Sequence, residues 1–454
     1  MTKMFTALLL LMIFLASDVR AFAAISPKPQ VKVTGGIIQG CVDESGLKVF
    51  KGIPYADTTA GQNRWKSPQS VKSWQGIRDC SKFGPIAVQC EATTTFDPWT
   101  NEYLDMHMNL GNGLMGEDCL SLNVWTKAAE NAKLPVVVYI HGGANLSGSS
   151  QNDVYDGSAI AQKGIVYVSI NYRVGIFGFP AYKDKTGEEI TGNFAIQDQI
   201  AALKWIKKNI SKFGGDPNNV TIMGQSAGSN NVQNLIASTA AAGLFNKAVA
   251  LSFNNVFTTE MLSARDLKDA EAEAAEKLGQ YTIKQLRAMS PAEVLALGYI
   301  PNAVVTGTST GTQTLKDAFA SGNWNKVDMI RGGVAGDQYL FDSVIDVGNF
   351  MSPADKLTPA EYARSAEKSF GQNSDKLLKL YPAESKSSAL QTARRVNIDK
   401  MIANYFLAAE QKYQSDRNYK TYVYCYEHVI PDTPERMEKY GAFHTSDVNY
   451  LFAA

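Results

Sequence analysis

Short apolar runs alternate with segments of helical periodicity through the middle of the chain. The runs "LPVVVYI" (134–140) and "GIVYVSINY" (164–172) are continuous and rich in valine and isoleucine, which is typical of strands covered on both faces. Segment 193–215 instead has apolar residues at helical spacing and ends in glycine. A further buried strand, "NVTIMG" (219–224), then precedes a further helix, "AGSNNVQNLIAS" (227–238). This alternation predicts an α/β fold with a mostly parallel central sheet flanked by helices.

The two flanks of this pattern look different. Residues 31–55 alternate short strand-like pieces with glycine turns, which predicts a small N-terminal antiparallel region. Residues 258–297 are charged and amphipathic, which predicts a helical insertion packed over one face of the sheet. Strand-like runs return at 327–334 and 419–429. Because no linker-like stretch separates these parts, we expect residues 24–454 to form a single domain.

The first 23 residues have the pattern of a secretory signal peptide. Lys3 is followed by an apolar run over 4–16, and the small-x-small ending at 21–23 places cleavage after Ala23. A buried N-terminal helix is the alternative, but the pattern matches all three regions of a signal peptide. The run is also shorter than the roughly 20 apolar residues that span a bilayer. We therefore expect a secreted or periplasmic protein without a membrane span.

Composition adds two points to this picture. Hydrophobic residues make up 45% of the 454 residues, which is enough for a sizeable core, and 44 basic residues balance 44 acidic ones. A net charge of zero gives no reason to expect nucleic acid or an anionic membrane as a partner. Export permits disulfides, but the odd number of cysteines leaves at least one without an intrachain partner. Cys425, in an apolar strand-like run, is expected to be a buried free thiol. The oligomeric state stays open.

Ser226 is a candidate nucleophile. It lies midway between Gly224 and Gly228, after the strand and before the helix named above. Strand, G-x-S-x-G and helix in this order are the context of a nucleophile elbow, a tight turn that exposes a strained serine. An ordinary glycine-rich turn is the alternative, and the strand–turn–helix context argues against it.

A second glycine-rich segment follows an earlier strand. Residues His141-Gly142-Gly143-Ala144 directly follow "LPVVVYI", and their small side chains allow close approach of backbone N–H groups to a substrate. A flexible loop is the alternative. Since strand-end glycines upstream of a G-x-S-x-G elbow supply oxyanion donors, we expect an oxyanion loop here.

A serine nucleophile needs a base, and the chain has four histidines: His107, His141, His428 and His444. The order serine, acid, histidine requires a late histidine, which leaves His428 and His444. His444 lies in a loop-like segment opened by glycine, whereas His428 lies at a strand end. The sequence therefore favours His444.

The acid should lie between Ser226 and His444, at the end of a strand. Asp337 follows a strand-like run and a glycine, where it could fix the imidazole tautomer. An aspartate in a glycine turn is more often a turn residue, and only its position relative to the other two candidates favours catalysis. Asp342 is the competing acid.

These segments together resemble the type-B carboxylesterase family, which includes cholinesterases and bacterial para-nitrobenzyl esterases. The resemblance runs from about residue 33 to the end of the chain. The matching pieces, in order, are "FKGIPYA", "GEDCLSLNVW", "PVVVYIHGGA", "NYRVGIFGF", "GNFAIQDQIAALKWIKKNISKFGGDPNNVTIMGQSAGS" and "GAFHTSDVNYLF". The resemblance implies an α/β-hydrolase fold, a small-molecule ester substrate, no cofactor and no metal.

The resemblance also implies roles for individual residues. Ser226 takes the place of the nucleophile, His444 that of the base, and Asp337 that of the family's acidic residue, a glutamate. The implied oxyanion donors are Gly143, Ala144 and Ala227. The family's early disulfide implies a Cys90–Cys119 pair, and whether Cys41 and Cys80 also pair stays open.

Three positions depart from the family pattern. Gln225 replaces the usual glutamate before the nucleophile, Asp337 is shorter than glutamate, and Asn145 replaces an aromatic residue, which predicts an altered acyl pocket. The expected function is that of an exported serine hydrolase, which cleaves carboxylic esters through a Ser-Asp-His triad and an acyl-enzyme. The alternative is a binding or adhesion protein that has kept the fold and lost catalysis.

Overall fold

The computed structural model describes residues 28–89, 114–253, 264–308, 313–337, 345–346, 351–352, 357–434, 437 and 441–452. A nine-stranded sheet forms its centre. The strands of this sheet, β1 to β9 in chain order, are Cys41–Val42, Lys48–Pro54, Ser121–Thr126, Leu134–Ile140, Val166–Ile170, Gly215–Gln225, Lys247–Leu251, Asp328–Val334 and Thr421–Tyr426.

The sheet is mostly parallel, which confirms the predicted fold class. Its strand order is β9-β8-β7-β6-β4-β5-β3-β2-β1. Strands β9 through β5 in this order pair in parallel, and β3, β2 and β1 complete one edge in antiparallel pairing. Strand β6 therefore lies inside the parallel part, and its carboxyl end points to the same edge as those of β4, β7 and β8.

Helices alternate with the strands along the chain and pack against the central sheet. The helices, α1 to α12 in chain order, are Ser158–Gln162, Gly175–Gly178, Phe194–Asn209, Ala227–Ala237, Leu267–Leu278, Ile283–Ala288, Pro291–Leu295, Leu315–Ser321, Pro359–Phe370, Ser374–Leu380, Lys386–Ser415 and Ser446–Phe452. Smaller strand pairs lie outside the central sheet: Gln30–Val33 with Gly36–Gln39 and Ile77–Asp79, Ala181–Lys183 with Glu189–Thr191, Arg265–Asp266 with Val305–Thr306, and Ile345–Asp346 with Met351–Ser352.

The apolar periodicity of the sequence accounts for the core. In β4, Val136, Val138 and Ile140 are fully buried together with all of β5, as the continuous apolar runs predict. The predicted helix at 193–215 is α3, which ends at Asn209 and passes into a 3-10 turn over Ile210–Phe213. Its apolar face joins these strands in one large cluster.

The predicted helical insertion is present as α5, α6 and α7. Its buried residues, including Leu278 and Ile283, contact Phe177, Tyr182 and Phe194, which belong to the segments after β5. The aromatic side chains of those segments supply the apolar surface on which the insertion packs.

Several sequence-based predictions concern residues outside the described part. The signal peptide over 1–23 lies wholly there and stays a prediction, as does the single-domain assignment of 24–454. Within the described ranges, no helix combines the length and apolar character of a membrane span. Cys41, Cys80, Cys119 and Cys425 form no disulfide with one another, so Cys41 and Cys80 do not pair, and Cys425 is only partly buried rather than buried as predicted. Since Cys90 is not among the described residues, the implied Cys90–Cys119 disulfide stays a prediction.

Candidate active site

Ser226 forms the turn between β6 and α4. Its backbone has φ 57° and ψ −124°, a conformation that costs a non-glycine residue of the order of 1–3 kcal/mol. The neighbouring strand holds this turn, because the Ser226 N–H donates to the carbonyl of Leu251 at the end of β7 at 2.9 Å. The sequence thus places a strained serine where the N-terminal end of a helix meets the sheet edge.

The two glycines of the elbow are required by space rather than by backbone angles. A Cβ at Gly224 would lie 2.4 Å from the backbone of Gly228, and one at Gly228 would lie 2.1 Å from the carbonyl oxygen of Ile140. Both contacts are with backbone, which cannot move aside. Strand β6, helix α4 and strand β4 can therefore approach this closely only when residues 224 and 228 lack a side chain.

The loop after β4 lies against the serine. A Cβ at Gly142 would lie 3.2 Å from Cβ of Ser226. Gly143, Ala144 and Asn145 follow with φ 105°, 54° and 60°, and the Gly143 carbonyl accepts from the N–H groups of Leu146 and Ser147. The N–H groups of Gly143 and Ala144 donate to none of the described residues, as expected of amides reserved for a developing oxyanion.

His141 supports this loop and is not a candidate base. Its ring stacks on Tyr172 with centroids 4.3 Å apart, and the Tyr172 hydroxyl donates to the His141 carbonyl at 2.7 Å. Burial lowers the pKa of His141 to about 4, so the ring stays neutral. Its Nδ1–H donates to the Gly142 carbonyl at 2.8 Å.

The structure brings His444 and Asp337 together. Asp337 follows β8, and the Gly336 N–H just before it donates to the Ala442 carbonyl at 2.8 Å, which ties the two loops to one another. Within that frame, Nδ1 of His444 lies 2.7 Å from Oδ1 of Asp337. A carboxylate at this distance fixes the tautomer with the proton on Nδ1, which leaves Nε2 as an acceptor.

The charges around His444 favour its protonated form. Burial lowers the pKa of His444, but the attraction and hydrogen bond of Asp337, with the charge of Asp447, outweigh burial and raise the pKa above its ordinary value. Asp447 lies in α12, and its Oδ2 accepts from the Tyr424 hydroxyl at 3.2 Å. Burial raises the pKa of Asp447 to about 6. The imidazole therefore faces two carboxyl groups.

Gln225 occupies the remaining nitrogen of the imidazole. Its side-chain Nε2 lies 3.2 Å from Nε2 of His444, in the buried interior. Among hydrogen bonds between described residues, none joins the Ser226 hydroxyl to His444. Catalytic hydrogen bonds often form only when substrate binds, so the missing bond between Ser226 and His444 does not exclude the pair. Before substrate binds, Nε2 of His444 contacts Gln225 instead.

The candidate residues from the sequence fall into three groups. Ser226 and Ala227 form the elbow, Gly142, which precedes Gly143 and Ala144, lies against it, and His444 with Asp337 reaches Gln225. His428 is exposed and contacts the Tyr450 hydroxyl at 2.7 Å, away from this group. His107 and Asp342 lie outside the described residues.

The sequence analysis missed two contributors, Asp447 and the contact of Gln225. Asp447 lies in the first turn of α12, three residues after His444, and its nearness to His444 in the sequence is the signal that could have identified it. No group of acidic, histidine or cysteine side chains that could hold a metal ion occurs in the described part of the chain.

Comparisons with known proteins identify relatives of the whole chain. The profile of the carboxylesterase family matches residues 27–454. The fumonisin B1 esterase of Sphingopyxis macrogoltabida is 29% identical over 449 residues, which cover 94% of this chain and 75% of that protein. The para-nitrobenzyl esterase of Bacillus subtilis is 40% identical over 207 residues, which cover 45% of this chain and 40% of that protein.

A solved structure of a PNB esterase superposes on the fold with a TM-score of 0.73. The two chains are 26% identical, and the superposition covers 94% of this chain and 84% of the other. Other curated relatives, such as the carboxylesterase 4A of Bos taurus, are matched over about half of their length.

Proposed function

Since the chain belongs to the carboxylesterase family and is thereby a carboxylic ester hydrolase, we propose that it is an exported serine hydrolase acting through Ser226, Asp337 and His444. The observation that carries this proposal is the 2.7 Å contact between His444 Nδ1 and Asp337, placed beside a strained serine elbow. It leaves Nε2 as the acceptor that a serine nucleophile requires.

The proposed reaction has two halves. Ser226 Oγ attacks the ester carbonyl while His444 Nε2 takes its proton, and the tetrahedral intermediate collapses to an acyl-enzyme as the alcohol leaves with that proton. Water then attacks the acyl-enzyme with the same proton transfers and releases the acid. The N–H groups of Gly143, Ala144 and Ala227 stabilise the oxyanion in each half.

Gln225 must release His444 Nε2 before the first proton transfer. Its amide N–H donates to the neutral imidazole, so the same nitrogen is available to Ser226 only after the glutamine side chain turns away or the imidazole shifts. Substrate binding beside Gly142 is the event that would reorganise this contact.

Burst kinetics with a short-chain para-nitrophenyl ester test the proposal. We expect a burst of one equivalent of nitrophenol from the wild type and none from Ser226→Ala. Labelling by a fluorophosphonate probe separates the enzyme from a non-catalytic binding protein, because only an activated serine reacts. Unchanged turnover in Ser226→Ala, or no labelling of folded wild type, would contradict the proposal.

The ester that the protein hydrolyses is a separate question from the reaction type. Relatives are named for esters as different as fumonisin B1 and para-nitrobenzyl compounds, and we propose only a small-molecule carboxylic ester for this chain. A panel of para-nitrophenyl esters of rising acyl length, compared by kcat/KM, measures the size of the acyl pocket.

Export and the disulfide are tested on the purified protein from the periplasm or the medium. We expect a mature chain that starts at Ala24 and, in a non-reducing peptide map, a linked pair of peptides containing Cys90 and Cys119. A secreted chain that retains Met1 would contradict the cleavage site, and free thiols at both cysteines would contradict the pairing.

A further inference from the structure

Asn145 directly follows the oxyanion residues and is fully buried. It is the third of three successive residues with positive φ, after Gly143 and Ala144. Only glycine adopts this region freely, and asparagine tolerates it better than most other residues. A loop with two such non-glycine residues in succession keeps its shape only if its surroundings hold it.

The side-chain amide of Asn145 supplies that support from two directions. Its Oδ1 accepts from Asn231 Nδ2 at 2.9 Å, and its Nδ2 donates to the Asn302 carbonyl at 2.8 Å. Its backbone carbonyl also accepts from the Gly175 N–H at 2.7 Å. The side chain is therefore engaged by the protein itself, which differs from the acyl-pocket role that its position in the sequence predicts.

These contacts join the oxyanion loop to the helix that follows the nucleophile and to the segment that contains Asn302. Asn231 lies in α4, the helix that begins directly after Ser226, and Asn302 lies at the end of the helical insertion. One amide thus connects the helix behind the nucleophile, the loop that carries the oxyanion donors, and the segment above them. Oxyanion donors must lie about 2.7–3.1 Å from the oxyanion, so a connection of this kind sets the catalytic distance.

We propose that Asn145 is a positioning residue, which fixes the N–H groups of Gly143 and Ala144 relative to Ser226 through its hydrogen bonds to Asn231 and Asn302. The inference rests on the proposed function, because it concerns the oxyanion of the same reaction. Asn145 touches no reacting atom; it acts through the loop.

The variant Asn145→Gly isolates the amide from the backbone, because glycine keeps the left-handed conformation without strain. We expect kcat to fall by about tenfold to a hundredfold with KM within about twofold, since misplaced donors weaken only the transition state. The inhibition constant of a trifluoromethyl ketone, which forms a hemiketal oxyanion with Ser226, should rise by the same factor. Binding of the product carboxylate should not change.

Asn193→Gly is the matched control. Asn193 is also buried with a left-handed backbone, φ 59°, and its amide hydrogen-bonds both the N–H and the carbonyl of Val305 in the segment that contains Asn302. Its hydrogen bonds to the described residues Val305 and Thr308 do not involve the oxyanion loop. A loss of packing alone should lower Tm in both variants, whereas the loss of kcat and of ketone affinity should be confined to Asn145→Gly.

Asn231→Ala adds a double-mutant cycle. If both residues act through one bond, the double variant should be no slower than Asn145→Gly. Wild-type kcat in folded Asn145→Gly, equal losses in Asn193→Gly, or additive losses in the double variant would overturn the role of Asn145. A wild type without ester turnover would overturn the proposed function and this inference with it, whereas an active wild type confines any failure to Asn145.

Discussion

Asp337 is the residue on which the orientation of His444 depends. In Asp337→Asn, the amide can donate to Nδ1, which favours the wrong imidazole tautomer, so kcat should fall about a thousandfold or more while folding persists. Asp337→Glu should lose less, because the family has glutamate at this position. Steady-state kinetics with circular dichroism to confirm folding make the measurement. Full activity in folded Asp337→Asn would remove it from the proposed triad.

Gln225 contacts the imidazole nitrogen that does not face Asp337. Three groups face His444: the carboxyl groups of Asp337 and Asp447 and the amide of Gln225. Because the base must be neutral, and its pKa is raised by Asp337 and Asp447 against burial, kcat/KM should fall as the pH drops through a value above the ordinary pKa of histidine. Gln225→Glu places a further negative charge beside Nε2 and raises the pKa of His444 again.

The acid limb of the pH profile of kcat/KM should therefore move to higher pH in Gln225→Glu, by about one unit or more. Asp447→Asn is the opposite control, because it removes an attracting charge and should move the same limb to lower pH. Coincident profiles of the wild type and Gln225→Glu would show that residue 225 does not face the base in the free enzyme, whose pKa values kcat/KM reports.

At the scale of elements, the elbow between β6 and α4 holds strain that catalysis requires. Ser226→Gly releases the backbone strain at φ 57° and should stabilise the fold by about 1 kcal/mol, after the greater freedom of glycine in the unfolded chain is subtracted. Ser226→Ala removes the hydroxyl but keeps the strain, so it is the control. Thermal or urea unfolding measures both, and equal stability of the two variants would contradict the strained elbow.

The elements that the sequence predicts well are those whose pattern is local. The run "LPVVVYI" becomes β4 with the bounds of the prediction. Ser226 lies in the predicted turn, and the glycines at 224 and 228 are needed there because a Cβ at either position would collide with backbone. The contact of Gln225 with His444 and the amide link of Asn145 to Asn302 could not be predicted, since each joins residues far apart in the chain whose partners only the folded loops bring together.

At the scale of the whole molecule, a buried ion pair connects the loop after β5 to α3. Arg173 donates to both oxygens of Asp198 at 2.7 Å, and its Nη1 reaches the Lys66 carbonyl at 2.9 Å. Both side chains are almost fully buried. A charge left unpaired at this depth cannot be solvated, so replacing one partner should lower the free energy of unfolding by a large amount.

Asp198→Asn should therefore destabilise the protein by about 3–5 kcal/mol, measured by urea unfolding. Glu130→Gln is the surface control, because the Lys212–Glu130 pair is about half exposed on each side and should contribute less than about 1 kcal/mol. Equal losses in the free energy of unfolding of the two variants would contradict the prediction that the buried pair stabilises the fold more than the surface pair.

The order of the site residues along the chain also determines when activity arises during synthesis. His444 meets Asp337 across 107 positions and Gln225 across 219, so the serine and its oxyanion loop leave the ribosome long before the base does. A nascent chain can have the centre of the sheet in place and still lack any group to take the serine proton. If hydrolysis proceeds through the proposed triad, it reports that the late strand β9 and the loop after it have docked, and it can serve as a readout of completed assembly.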